Sequence, residues 1–370
     1  MLIGIDASRA VSNQPTGVEA YAARLIGALL PPALERGHAV RLYFNQAPAA
    51  GLFPGANEVV IPFPRLWTHL RLAAELARRP PAVFFTPAHV IPLSYHRPSV
   101  ATVHDLGFHF FPQAHPARQR LYLRWSTGHN ARRAALLMAD SQATAHDLAR
   151  LYPASAGRVR VVYPGFEADL GPVEEPGRLA RVQARYGLQP PYLLYIGTLQ
   201  PRKNLVRLVQ AFAASGLAEH QLVLAGKPGW LTAELQAALA KLEPGIRGRI
   251  HLPGFVDPAE KAALLSGAAA LLYPSLYEGF GFPILEANAC GTAVLAADAS
   301  SLPEVADGAA LLVNPLDVDA LCEGIVQIVT DHGLRQELIV AGRQNVARFS
   351  WRRAAAEALA VLEEAAEWRP

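Results

Sequence analysis

The sequence predicts an α/β protein built from two doubly wound, Rossmann-like domains that face a cleft. Three observations carry this. At 370 residues the chain exceeds the roughly 250 to 300 at which a single hydrophobic core stops growing, so two cores are expected. Short apolar runs alternate with helical stretches from end to end, the pattern of strand-helix-strand units and parallel sheets. One break interrupts the alternation at 164 to 190. There "PGFEADLGPVEEPGRLARVQARYGLQP" is rich in Gly, Pro and charge and holds no strand-like run, as expected of a linker plus one short helix. The N-terminal domain is therefore expected over 1–168, with the linker and C-terminal domain starting at 169.

Taken in order, the strands expected in the first half are "LIGID", "AVRLYF", "EVVIPF", "AVFFTP", "SVATVHD", "LLMADS" and "RVRVVYPG". Between them lie helical patterns such as "GVEAYAARLIGALLPPAL" and "PARQRLYLRWSTGHNARRAA". The second half repeats the scheme with "YLLYIG", "QLVLAG", "RIHLPGF", "AALLYP", "TAVLAA" and "AALLV". Each of these runs ends in a turn signal. Open parallel sheets bind ligands outside the carboxyl ends of their strands, so functional residues are expected just after strands, at the cleft.

Composition excludes several classes. With 51% apolar and 18% charged residues, the chain has material for two buried cores and no tract suited to disorder. The start "MLIGIDASRA" lacks the basic segment and cleavage site of a signal peptide. The longest charge-free apolar stretch, 262 to 277, is broken by Gly267 and Pro274 and falls short of the roughly 20 residues that span a bilayer. The two cysteines, Cys290 and Cys322, support neither a disulfide framework nor a Cys zinc site, and a reducing cytoplasm fits. The first sheet's opening loop lacks GxGxxG, which disfavours a dinucleotide oxidoreductase. Residues 1–185 carry 20 Arg and no Lys against 12 acids, a local balance of about +8 inside an overall +3.

Two segments of the second half carry chemistry. After "YLLYIG" comes "TLQPRKNLVRLVQAF", where Arg202 and Lys203 stand at the entrance of an amphipathic helix. Two cations beside outward-pointing N–H groups suit phosphate or pyrophosphate. Cations there are mildly unfavourable unless an anion sits with them. The second segment, "PSLYEGFGFPILEANACG", places Glu278 in a loop and Glu286 in the first turns of a helix with Pro283 at its start and Gly291 at its end. Gly279 and Gly281 let the backbone approach a ligand, whose oxygens the N–H groups of Gly279, Phe280, Gly281 and Phe282 are placed to bind. A carboxylate accepts from two vicinal hydroxyls, as in a ribose clamp. Otherwise Glu286 complements the helix terminus, worth about 0.3 to 1 kcal/mol, and Glu278 is solvated.

In the first half, "SVATVHDLGFHFFP" puts His104 and Asp105 at a strand end. His104 there is suited to a sugar hydroxyl or a proton relay, and Asp105 to capping the next turn. Thr16 and Gly17, between the first strand and its helix, are positioned for backbone contact with a phosphate or sugar.

This constellation resembles the retaining, GT-B-fold glycosyltransferases of family 4, also called group 1 transferases, in a mannosyltransferase-like subgroup. The resemblance covers nearly the whole chain. Its carriers are "TGVEAYAARL", "ATVHDLGFHFFP", "YIGTLQPRKNL", "LVLAGKPGW", "LPGFV", "YPSLYEGFGFPILEANACGTAVLAADASSLPEVADGAALLVNP" and "FSWRRAAAEAL". It implies that Arg202 and Lys203 neutralise the pyrophosphate of a sugar nucleotide without a metal or other cofactor. It places Glu286 on the ribose, and Glu278 with the backbone of Gly279 to Phe282 on the donor sugar. His104 is implied beside the reacting sugar and Gly17 beside the donor phosphate. Many relatives carry Arg directly after the glycine of the "YIG" strand, where this chain has Thr198, which leaves phosphate neutralisation to Arg202 and Lys203. The closing helix, about 351–370, is implied to cross back onto the N-terminal domain, leaving 169–350 to the second.

The activity so implied is transfer of a hexosyl unit, mannosyl from GDP-mannose by preference, to a hydroxyl of a carbohydrate or lipid-linked acceptor with retention. Cell-surface polysaccharide or glycolipid synthesis is the implied setting, and no nucleic-acid partner is expected. Two other readings compete. A retaining glycoside hydrolase also uses two carboxylates, about 5 to 5.5 Å apart, but has no need of Arg202 and Lys203. A two-domain nucleotide-sugar sensor would close without turnover. Finally, residues 116–135 interleave Arg118, Arg120, Arg124, Arg132 and Arg133 with Leu121, Tyr122, Leu123 and Trp125. Such a helix either packs with solvated arginines or holds the protein peripherally at an anionic inner membrane face.

Overall fold

The computed structural model describes residues 1–11, 17–63, 65–88, 90–166 and 170–368. They group into two compact units: Met1–His109 with Ala117–Gly165 and Phe349–Pro370, and Phe110–Pro116 with Phe166–Arg348. The expected boundary at 168/169 lies outside the described residues.

The first unit carries a seven-stranded, all-parallel sheet of β1 (Leu2–Asp6), β2 (Ala39–Phe44), β3 (Asn57–Val60), β4 (Val83–Thr86), β5 (Ser99–Val103), β6 (Leu136–Ala139) and β7 (Val159–Val161). Their order is β3-β2-β1-β4-β5-β6-β7. β4 and β5 are buried along their whole length, as central strands covered on both faces must be, which is why they read as unbroken apolar runs. The helix Gly17–Glu35 presents Tyr21, Leu25, Ile26, Leu29 and Ala33 to the core, a stripe with helical spacing. Pro31 and Pro32 fall within it.

The closing helix, Trp351–Glu367, packs Ala354, Ala355, Ala358, Leu359 and Leu362 into the same core. Ser350 caps it, its hydroxyl accepting from the Arg353 N–H at 3.2 Å. A side chain at Gly165 would bring a Cβ to 2.2 Å from the Trp351 nitrogen, so only glycine fits where the chain leaves this unit beside the start of the returning helix.

The second unit has a six-stranded parallel sheet: β8 (Tyr192–Ile196), β9 (Gln221–Ala225), β10 (Ile250–Gly254), β11 (Ala270–Tyr273), β12 (Val294–Ala297) and β13 (Leu311–Val313). Their order is β10-β9-β8-β11-β12-β13. Both sheets are therefore doubly wound, with chain order reversing between β1 and β4 in one and between β8 and β11 in the other. Such reversal points are where open α/β sheets receive ligands. Residues 110–116 group with this second unit, with Phe110 stacked on Tyr277 at 5.1 Å and the Ala114 carbonyl accepting from the Trp230 indole N–H. No helix among the described residues is long and apolar enough to cross a membrane.

Candidate functional site

The loops after β8 and β11 flank the reversal point of the second sheet, and each brings charge to it. After β8 the chain makes a single 3₁₀ turn, Pro201–Lys203, before the helix Leu205–Ala214. Arg202 and Lys203 thus lie in a turn just ahead of the helix. Asn204 separates the two elements with a left-handed backbone, φ 62°, a conformation asparagine tolerates. Its side-chain amide donates to the carbonyls of Pro274 at 3.1 Å and Pro315 at 2.6 Å, which ties the cationic turn to the loop after β11.

Glu278 comes from that second loop and meets both cations. Its Oε1 accepts from Lys203 Nζ at 2.5 Å and its Oε2 from Arg202 at 2.8 Å. The three side chains are nearly buried, Glu278 being 7% exposed and Lys203 8%. Lys203 Nζ also donates to the Tyr273 hydroxyl at 3.1 Å, and Arg202 to the Tyr277 carbonyl. Burial alone would raise the Glu278 carboxyl, but the Arg202 charge and then the Lys203 charge overcome it and hold Glu278 down at about 2. The anion that makes two cations tolerable here is therefore Glu278 itself. Two positive charges face one negative, so these three side chains sum to +1.

The glycine loop is latched by residues to which the sequence alone assigns no role. The Glu278 N–H donates to Ser300 Oγ at 2.9 Å. Ser301 Oγ lies 3.0 Å from the Glu278 carbonyl and 2.5 Å from that of Phe280, sharing one proton between them. Gly281 has φ 130°, and a Cβ there would meet Leu302 at 2.8 Å, so glycine is required both by backbone and by space. Gly281 is the N-cap of the helix Phe282–Ala289 and Pro283 its second residue, while Gly291, φ 70°, follows its C-terminus. Phe280 is buried edge-to-face with Phe282, ring centroids 5.0 Å apart.

Glu286 has a different partner: its Oε1 accepts from Lys261 Nζ at 2.8 Å. Each of the two glutamates thus has its own lysine. Thr198, exposed just beyond β8, offers its carbonyl to the Tyr195 hydroxyl at 3.2 Å.

In the first unit His104 follows β5, its Nδ1 2.7 Å from Asp140 Oδ2 and its Nε2 2.8 Å from the Pro87 carbonyl. Both ring nitrogens are engaged in this conformation. Asp105 accepts from the Gly107 N–H at 2.9 Å, the turn-capping bond its position suggests. Gly17 is exposed at the start of its helix, and a Cβ added there would meet nothing within 4 Å, so packing does not demand glycine at that position. Thr16 lies outside the described residues. Asp140, the partner of His104, is not singled out by the motifs, although "LLMAD" ends a strand in an acid just as "SVATVHD" does. Among the described residues no three His, Cys, Asp or Glu side chains gather as a metal-binding cluster.

Comparison with known proteins adds to this geometry. Residues 180–345 match the family described as Glycosyl transferases group 1, and residues 15–170 match Glycosyltransferase Family 4. The chain is 33% identical over 258 residues to the O-antigen chain mannosyltransferase B of Escherichia coli, covering 68% of this chain and 67% of that protein. Among solved structures it is similar in fold to sucrose-phosphate synthase from Thermosynechococcus elongatus, with TM-score 0.76 and 22% identity over 98% of each chain. It is likewise similar to Anabaena HepE, solved in complex with UDP and glucose, with TM-score 0.71 and 20% identity over 98% of this chain and 99% of that one.

Proposed function

Because the chain belongs to the group 1 and family 4 glycosyltransferases, we propose that it transfers a hexosyl unit from a nucleotide diphosphate sugar to a hydroxyl acceptor, with retention and without a metal. The observation that carries this reading is the buried Arg202–Glu278–Lys203 cluster at the β8/β11 reversal point, two cations restrained by one carboxylate. Negative charge develops on the departing diphosphate, and preorganised cations aimed at developing charge are the largest single contribution such a site can make. In this reading the diphosphate shares Arg202 and Lys203 with Glu278, which turns part of its hydrogen-bonding capacity to the donor sugar. Glu286 takes the ribose hydroxyls in exchange for part of its bond to Lys261. The glycine loop, held by Ser300 and Ser301, supplies backbone N–H groups. The departing phosphate assists front-face substitution, so no enzymic nucleophile is invoked. The mannosyltransferase relative supports a mannosyl donor, and GDP-mannose is the first to assay, with a carbohydrate or lipid-linked acceptor.

The test is release of free nucleoside diphosphate, expected only when donor and acceptor are both present and undiminished by excess chelator. Release without acceptor would indicate hydrolysis, and saturable donor binding without any release would indicate a sensor.

Peripheral membrane contact forms part of the proposal, on a separate observation. The helix Ala117–Arg133 exposes Leu121, Tyr122 and Trp125 alongside Arg118 and Arg124 over its first half. No Asp or Glu stands between Asp105 and Asp140. His69 packs against Trp125 at 6.0 Å, beside exposed Leu70 and Arg71, which extends the same basic and apolar surface. Sedimentation with phosphatidylglycerol-containing vesicles is expected at low salt and to fade at high salt as the charges are screened. Absence of sedimentation at low salt would remove the membrane from the proposal.

A further inference from the structure

Three neighbouring strands of the first sheet, β4, β5 and β6, end in a bonded set that the transfer reading leaves unused: the Pro87 carbonyl, His104 and Asp140. We propose that Asp140 is a positioning residue that keeps both ring nitrogens of His104 protonated, so that His104 presents a fixed cation and donor at these strand ends and not a base.

The geometry carries this. A carbonyl only accepts, so the 2.8 Å contact at Pro87 requires a proton on Nε2. A carboxylate and an imidazole nitrogen 2.7 Å apart require a proton between them. The pair therefore holds two protons and is neutral overall. Losing either would set two lone pairs against each other at hydrogen-bond distance, inside the unit. Asp140 is 5% exposed, and its other oxygen, Oδ1, is buried without a hydrogen-bond partner among the described residues. Such an acid is justified by what it does for His104. Tyr21, from the helix Gly17–Glu35, sets its ring edge-on to the imidazole at 4.8 Å and is itself backed by Trp351 at 5.9 Å. The ring therefore has little freedom to swing away.

The charged and titratable groups around the imidazole favour the same state. Burial opposes the cation, but Asp140 by charge and hydrogen bond, the Pro87 carbonyl and the neighbouring Asp105 outweigh it, and His104 is raised above the ordinary histidine value. Burial also raises Asp140, against the pull of His104. The Tyr21 hydroxyl, pushed well above its usual range by burial, stays neutral and contributes no charge. A raised histidine stabilises the fold below its unfolded value and loses that contribution as pH rises through the folded one. The same groups therefore favour the cation.

The inference rests on the transferase reading only for its use in turnover, because the protonation state is read without substrate. The full-length protein, labelled with ¹⁵N-histidine and assigned by His104→Gln, is expected to keep two protonated nitrogens at His104 to a pH above the ordinary midpoint of about 6.5. Asp140→Asn is expected to shift the midpoint to or below that ordinary value, since burial is then opposed only by the Pro87 carbonyl and Asp105. Its transfer rate should also fall as pH rises through the new midpoint, by about tenfold per unit shift, where wild type stays level. A purely structural Asp140 would not move a pH profile. A wild-type His104 that titrates at or below the ordinary midpoint overturns the proposal, and so does an Asp140→Asn protein that titrates like wild type. The wild-type spectrum decides even if the variant does not fold, and it decides independently of whether any donor yields product.

Discussion

Lys203→Ala is expected to lower kcat/KM for the nucleotide-sugar donor by about 10²- to 10³-fold, the range for losing one preorganised contact to developing charge. Lys203 is positioned for that role by three constraints. The turn Pro201–Lys203 ends in a left-handed Asn204, whose amide is anchored to the loop after β11. Its ammonium is held between Glu278 and the Tyr273 hydroxyl, and its side chain is nearly buried, so its charge acts in a medium where water screens it poorly. The variant also leaves a buried carboxylate oxygen short of a donor, which is expected to destabilise the second unit by about 1 to 3 kcal/mol. Calorimetric titration with nucleoside diphosphate separates the two effects: affinity should fall even well below the melting temperature. Unchanged affinity would remove Lys203 from the phosphate site.

Glu278→Gln is expected to act in the opposite sense on binding. With the carboxylate neutralised, the cluster changes from one net positive charge to two, so nucleoside diphosphate should bind more tightly, on the order of tenfold, or about 1.4 kcal/mol. Transfer should nonetheless slow by about 10²-fold, because the sugar contact is weakened and the product is held. The same variant changes the acid response. Glu278 is held at about 2 against an ordinary 4.5, a difference that corresponds to on the order of 3 kcal/mol. A depressed carboxylate stabilises the fold above its unfolded value and loses that contribution as pH falls through the folded one. Wild type should therefore lose stability between about pH 4.5 and 2, more steeply than Glu278→Gln does. Melting temperatures across that window, with product inhibition measured at neutral pH, check both halves. Weaker nucleotide binding by the variant would show that Glu278 positions the cations more than it competes for them.

The chain's periodicities made much of the architecture legible. Every strand of both sheets falls within a run that the apolar pattern marks, save that β3 begins one residue earlier at Asn57, because buried parallel strands need continuous aliphatic sequence and the loops after them need turn residues. Arg202, Lys203, Glu278 and the glycines of the "EGFGF" loop could be picked out for the same reason, since each stands just after such a run. The pairing of charges could not. The spacing of Glu278 and Glu286 suggests a pair of acids, whereas the fold directs one to Arg202 and Lys203 and the other to Lys261. Ser300 and Ser301 stand in a quoted motif, but their latch on the glycine loop joins positions more than twenty residues apart.

Fold class, strand positions and the residue types delivered to the carboxyl ends of the strands follow from the order of the amino acids, because these depend on local periods of two and 3.6 residues. Which of those residues meet is a property of the folded chain. Glu278 reaches Lys203 across 75 positions because β11 lies beside β8, and Asp140 reaches His104 across 36 because β6 lies beside β5. Strand order is set by how helices cover the sheet, a non-local choice that no window of sequence contains. The charge carried by Arg202 and Lys203 therefore belongs to the sequence, while its restraint by Glu278 belongs to the fold.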